Sequence, residues 1–159
     1  MNKSNKYEEI IKQINVYVQE FNRILAESAA LPMISIENPK TYSDGLDKNW
    51  GNNNQKWPSS ESKGVYILCG YLENTDKIGI YIGKASQQVM GHRIYRHLKT
   101  GSKLNKYIKN TKEGNYIYEI ILAIPIENNS KGFLASALEE YLIEKEYSGI
   151  KKLNSIGNN

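Results

Sequence analysis

Side chains able to act on a phosphate lie between Gly64 and His97, among them Tyr66, Tyr81, Lys84, Arg93 and His97. Another, Glu139, follows in the last helical pattern of the chain. Hydrolysing a phosphodiester requires an activated water, positive charge for the nonbridging oxygens and a way to neutralise the leaving oxygen. Arg93 and His97 are four residues apart and so share one helix face, where they can address one phosphate together with Arg96 beside them. The alternative for that face is a solvated basic surface. Lys103, Lys106 and Lys109 recur at three-residue steps on a short helix expected from Lys103 to Asn110. With Lys99 they read as a ridge of contacts to a phosphate backbone. Between Lys84 and Lys112 the chain has eight Lys and Arg, both histidines and no acid, a field that attracts a polyanion.

These groups need elements to hold them. Over Lys63–Tyr71 and Lys77–Gly83, the residues Val65, Ile67, Ile78, Ile80 and Ile82 give a two-residue period. That pattern predicts a hairpin turning at Glu73-Asn74-Thr75-Asp76. Tyr66 and Tyr81 are out of phase with the apolar set, which places both hydroxyls on the opposite face, although tyrosine is also simply a favoured strand residue. A helix is expected from Ser86 to Lys99, interrupted near Gly91, with Ser86 as N-cap and Gly83 in the strand-to-helix turn. A third strand, Asn115–Ile124, should end at Pro125. In the closing helix, Gly132–Tyr147, the stripe of Leu134, Leu138, Tyr141 and Leu142 faces inward. At about 100° per residue, Glu139 lies at the edge of that stripe while Glu140 points to water. A carboxylate held against the body calls for a metal or for an Arg or Lys partner, and both remain open. Leu153 is expected to return to the core and bring Asn154 near the site.

The first part of the chain carries no catalytic signal. Tyr7–Glu27 has a three-four seam of Ile11, Ile14, Val18, Phe21 and Leu25, which packs on the chain's own core or else on a second copy. Pro32–Lys63 is rich in Pro, Asn, Ser and Gly, and reads as an irregular arm. Its Trp50, Lys56 and Trp57 either read base edges in a groove or pin the arm to the body. The expected organisation is a helix and polar arm over 1–62 and an α/β (α+β) domain over 63–159. That domain would hold a small three-stranded, mostly antiparallel sheet flanked by helices. At 159 residues the chain can bury a core without staples, and its net charge of +4 with a pI near 9.0 is a mild basic excess. Cys69 is the only cysteine, which excludes an intrachain disulfide and a cysteine-based zinc site. With no apolar signal core and no run of roughly 18 apolar residues, a cytoplasmic protein without a membrane partner is expected.

From Gly64 to Asn154 the sequence resembles the GIY-YIG nuclease family. The pieces come in that family's order: Tyr66 in GVY, Tyr81 in YIG with Lys84 after it, Arg93 and His97 in HRIYRHL, Glu139 in ALEEYLI and Asn154 in KKLN. Val65 replaces the isoleucine of the family name, the spacer between the two motifs is somewhat long, and 63 residues precede the first. An N-terminal extension with histidine four residues after the arginine is similar in layout to the family's restriction endonucleases. The resemblance implies a divalent-metal-dependent endonuclease on DNA, with double-stranded DNA the expected substrate, in restriction, another defence role or a mobile element. It implies Mg²⁺ (or Mn²⁺) on Glu139, at the scissile phosphate and leaving 3′-oxygen, and Arg93 on the nonbridging oxygens. Tyr66 is the first choice to activate water, with His97 to relay or accept the proton and Tyr81 to orient the group, the base being one of these three; Asn154 is expected to position Glu139 or Tyr66. Cutting both strands with one site per chain would call for a homodimer. An interbacterial DNase toxin and a non-cleaving nucleic-acid-binding module are the alternatives.

Overall fold

The period-two apolar pattern produces the central hairpin. In the computed structural model, which describes residues 3–27, 30–32, 40–41, 59–98, 113–126 and 131–154, the elements begin with helix α1 (Lys3–Asn22) and strand β1 (Lys40–Thr41). Strands β2 (Lys63–Leu72) and β3 (Ile78–Ala85) follow, then α2 (Met90–Leu98), β4 (Tyr116–Ile126), α3 (Phe133–Glu144) and β5 (Ile150–Lys152). The fold is α+β. Its sheet has the order β1-β4-β2-β3-β5, with β4, β2 and β3 antiparallel, β1 antiparallel on β4 and β5 parallel to β3. Three strands were expected; the two additional edge strands span only 2 and 3 residues, too short to show a period.

Alternation gives the sheet two unlike faces. Val65, Ile67, Ile80, Ile82, Leu122 and Ile124 line the first, which α1 and α3 cover. Tyr66, Leu68, Tyr116, Tyr118 and Ile121 line the second, where Met90 and Ile94 of α2 pack. The seam of α1 lies in the chain's own core: Ile10, Ile11, Ile14 and Val18 have no exposed surface. Such burial contributes about 1.5–3 kcal/mol per side chain before entropy, so segment 1–62 supplies a structural wall to 63–159. At the far end of α1, Tyr141 Oη donates to Glu20 Oε2 at 3.0 Å and Lys145 Nζ donates to the same oxygen at 2.9 Å, fixing α1 to α3.

Several boundaries differ from the sequence reading. β4 runs through Pro125, which pairs with Gly64. β1 reaches β4 only at Ile120 and Ile121, so among the described residues Pro125 sits where β4 has an outer edge, a position that tolerates a missing N–H. α1 ends at Asn22, whose side chain exchanges two hydrogen bonds with the Leu31 backbone, at 2.9 and 2.8 Å. β3 continues to Ala85, and α2 begins at Met90 without Ser86 as its cap. Its first N–H groups donate instead to the main-chain carbonyls of Ser62 (2.9 Å) and Ser60 (2.8 Å), which ties the start of α2 to the entry of β2. The arm residues Trp50, Lys56 and Trp57, and the helix expected at Lys103–Asn110, lie outside the described residues.

A β-bulge decides what the second face contains. Cys69 pairs with Ile120 and Gly70 with Tyr118, leaving Glu119 as the extra residue. The parity of β4 therefore reverses: Ile120, Leu122 and Ile124 face α1 and α3, whereas Tyr116 and Tyr118 join Tyr66 on the other side. Glu119 is held by Tyr7 of α1, whose hydroxyl donates to Oε2 at 2.5 Å.

Candidate active site

Tyr66 and Tyr81 stand on the same face of adjacent antiparallel strands, as their phase implied. Tyr66 pairs across the ladder with Gly83 and Tyr81 with Leu68. The Tyr66 ring lies over the missing side chain of Gly83: a Cβ there would be 2.4 Å from Cζ and 2.5 Å from the hydroxyl. Gly83 is therefore a mid-strand cradle, not the strand-to-helix turn expected from the sequence. Gly79 plays the same part for Tyr116, whose ring would be 2.4 Å from a Cβ at that position.

Arg93 lies in the first turns of α2, and its register is set by the Ser60 and Ser62 contacts. Its guanidinium bears on both phenols. Burial pushes the Tyr66 hydroxyl well above the usual phenol range, and Tyr81 and Glu139 push it further, while Arg93 opposes them through its charge and a side-chain hydrogen bond. Tyr81 is pushed up to about 12 by burial and by the Glu139 carboxylate, again with Arg93 opposing. Both phenols are thus neutral at ordinary pH, and Tyr66 accepts from Arg93. Tyr66 has 0% exposure, so its hydroxyl is enclosed in the free protein, a poor position for the water-activating role expected of it. Tyr81 keeps part of its surface open.

Glu139 comes from α3, on the opposite layer, yet its charge reaches both phenols and Arg93 across β3. The helical angle that separated it from Glu140 holds: Glu139 is 7% exposed while Glu140 faces water. Its partner is Lys84, next in β3 after Gly83 and turned toward α3, with Nζ 2.8 Å from Glu139 Oε2. Burial raises the Glu139 carboxyl above the usual range, and Lys84 and Arg93 only partly counter it. Among the described residues no group of three or more His, Cys, Asp or Glu gathers as a metal cluster. A single buried carboxylate does fit Mg²⁺ or Mn²⁺, hard ions that accept one or two protein carboxylates and take further oxygens from water and substrate phosphate.

Asn154 approaches the site but serves a strand. Its side chain donates to the Ile82 carbonyl at 2.7 Å and accepts from the Ile82 N–H at 3.1 Å, so it positions the backbone between Tyr81 and Gly83, in place of the expected role on Glu139 or Tyr66. Leu153 returns to the core as expected, packed on the tyrosine face, with its N–H on the Ile80 carbonyl at 2.8 Å. Two hydrogen bonds at about 0.5–1.5 kcal/mol each predict that Asn154→Ala lowers stability by about 1–3 kcal/mol, seen as a lower urea midpoint with an unchanged slope.

Arg96 is exposed on α2. His97 falls on the same helix, but its side chain, with Lys99, Lys103, Lys106 and Lys109, lies outside the described residues. Tyr118 was missed by the sequence reading, because simple alternation from the apolar half of β4 puts it on the wrong face. Its hydroxyl is buried without a hydrogen-bond partner among the described residues.

The class defined by this fold and site is an α+β domain that gathers two phenols, a guanidinium, an ammonium and one carboxylate about a sheet edge. Compared with family models, curated proteins and solved structures, the chain matches none. No helix among the described residues is long and apolar enough to cross a membrane.

Proposed function

We propose that the chain is a divalent-metal-dependent DNA endonuclease of the GIY-YIG kind, acting in restriction, another defence role or a mobile element. The observation that carries this reading is the convergence of Tyr66, Tyr81, Arg93 and Glu139 from four separate elements: the Tyr66 ring lies over Gly83, the next residue, Lys84, holds Glu139 at 2.8 Å, and Arg93 bears on both phenols. A buried carboxylate and an arginine that both bear on the same phenols are the kind of arrangement that clusters at functional sites.

In this reading Arg93 holds the nonbridging oxygens of the scissile phosphate, a task suited to its fixed fork of donors. Tyr66 holds Arg93 at the correct depth and stays protonated. Tyr81, the part-exposed phenol, meets the attacking water or the phosphate, and His97 of the same helix as Arg93 takes up the proton. Glu139 would hold Mg²⁺, which when bound neutralises charge on the scissile phosphate and the leaving oxygen. Arg96 and the lysines that follow α2 supply affinity for the duplex without sequence information. Two copies of the chain would cut the two strands.

The test is direct. Purified protein incubated with supercoiled plasmid should nick or linearise it with Mg²⁺ and leave it intact with EDTA. Intact plasmid under both conditions, despite measurable duplex binding, would favour a binding module instead.

A further inference from the structure

The pair formed by Lys84 and Glu139 poses a problem for any ion bound at that carboxylate. Glu139 Oε2 already receives the Lys84 ammonium at 2.8 Å, and the two side chains are 9% and 23% exposed. A carboxylate this enclosed needs a cation in the fold, and Lys84 is the ammonium in contact with it. We propose that Lys84 is a placeholder cation: it occupies the metal position on Glu139 in the free protein and gives it up to the divalent ion. This inference rests on the metal assignment to Glu139 made above.

Three features suit Lys84 to this exchange. An ammonium on a four-carbon stem is a compact point charge that can leave one oxygen without the cost of breaking a bidentate fork, as an arginine could not. Lys84 is the more exposed partner, so its head has a route outward, whereas Glu139 is fixed on α3 between Leu138 and Glu140. Lys84 follows Gly83 in β3, three residues from Tyr81, so the phosphate of a bound duplex is the second partner proposed for the displaced ammonium. The ammonium thus passes from a carboxylate to a phosphate when ion and substrate bind, and the site never holds an uncompensated charge.

The experiment measures Mn²⁺ binding to the free protein at pH 8 by the paramagnetic signal of the unbound ion. With the placeholder removed, Lys84→Met should bind Mn²⁺ about five-fold or more tighter than the unsubstituted protein, the lower bound of ordinary coupling between sites, yet cleave plasmid more slowly. Lys84→Arg, which keeps the charge and grips the carboxylate with two donors, should bind Mn²⁺ more weakly. Damage to the fold would weaken binding in both, and urea midpoints for the two variants would reveal it. The inference is overturned if neither variant moves Mn²⁺ affinity, or if both lower it. Mn²⁺ binding that survives Glu139→Gln removes the metal assignment itself, a separate failure from unchanged affinity in the Lys84 variants.

Discussion

Glu139→Gln is expected to reduce plasmid cleavage at least about 10³-fold while leaving duplex affinity within a few-fold of the unsubstituted protein. A metal's stabilisation of the transition state is several kcal/mol, and each 1.36 kcal/mol is about a factor of ten in rate. Glutamine keeps the volume and one acceptor for Lys84 but removes the anion, so the fold should survive. Affinity for the duplex should also survive, because the basic residues of and after α2 supply it. Cleavage near the original rate in Glu139→Gln would sink the assignment.

The same carboxyl sets a pH dependence whose sign can be worked out. Its folded-state pKa is raised, chiefly by burial, so this carboxyl binds its proton more readily in the native protein than in the unfolded chain. Metal binding needs the anion, and cleavage should therefore fall as pH drops through a value above the ordinary carboxylate range. A raised carboxyl adds stability that is fully present below its unfolded pKa and is lost as pH rises through the folded one. Acidification into that window thus switches off cleavage without weakening the fold through Glu139. A far-UV circular dichroism signal that stays constant while Mn²⁺ affinity declines would match; simultaneous loss of both would not.

Gly83→Ala is expected to be the most damaging single-methyl substitution in the site. The new Cβ would lie 2.4 Å from Tyr66 Cζ, 2.5 Å from its hydroxyl and 2.7 Å from Cε2. The ring has nowhere to go, because Tyr66 is fully buried against Leu68, Met90 and Ile94. Overpacking of this kind costs about 1–3 kcal/mol. The displacement also passes to Arg93, and a shift of about 1 Å in a reacting geometry can cost about 10²-fold in rate. Combining Gly83→Ala with Tyr66→Leu should restore part of the stability, with a coupling of about 0.5–3 kcal/mol, but none of the activity. Strictly additive losses in the double variant would show that ring and strand do not meet as described.

Much of this molecule is legible without coordinates, because short-range chemistry writes it directly. The two-residue period of Val65, Ile67, Ile80 and Ile82 defines both central strands and puts Tyr66 and Tyr81 out of phase with the core. The three-four seam of α1 and the helical angle that separates Glu139 from Glu140 follow from the same local geometry. Other features depend on contacts between distant segments. Glu119 becomes a bulge only because Cys69 and Gly70 pair around it, and that single extra residue moves Tyr116 and Tyr118 to the face that carries Tyr66 and Tyr81. Gly83 reads as a turn until Tyr66 is laid over it from the neighbouring strand, and Asn154 reads as a site residue until the Ile82 backbone claims both ends of its amide. The choice between metal ligand and ion pair at Glu139 was undecidable from spacing, since periodicity gives the direction of a side chain but not what waits there; packing α3 on β3 brought Lys84 to 2.8 Å.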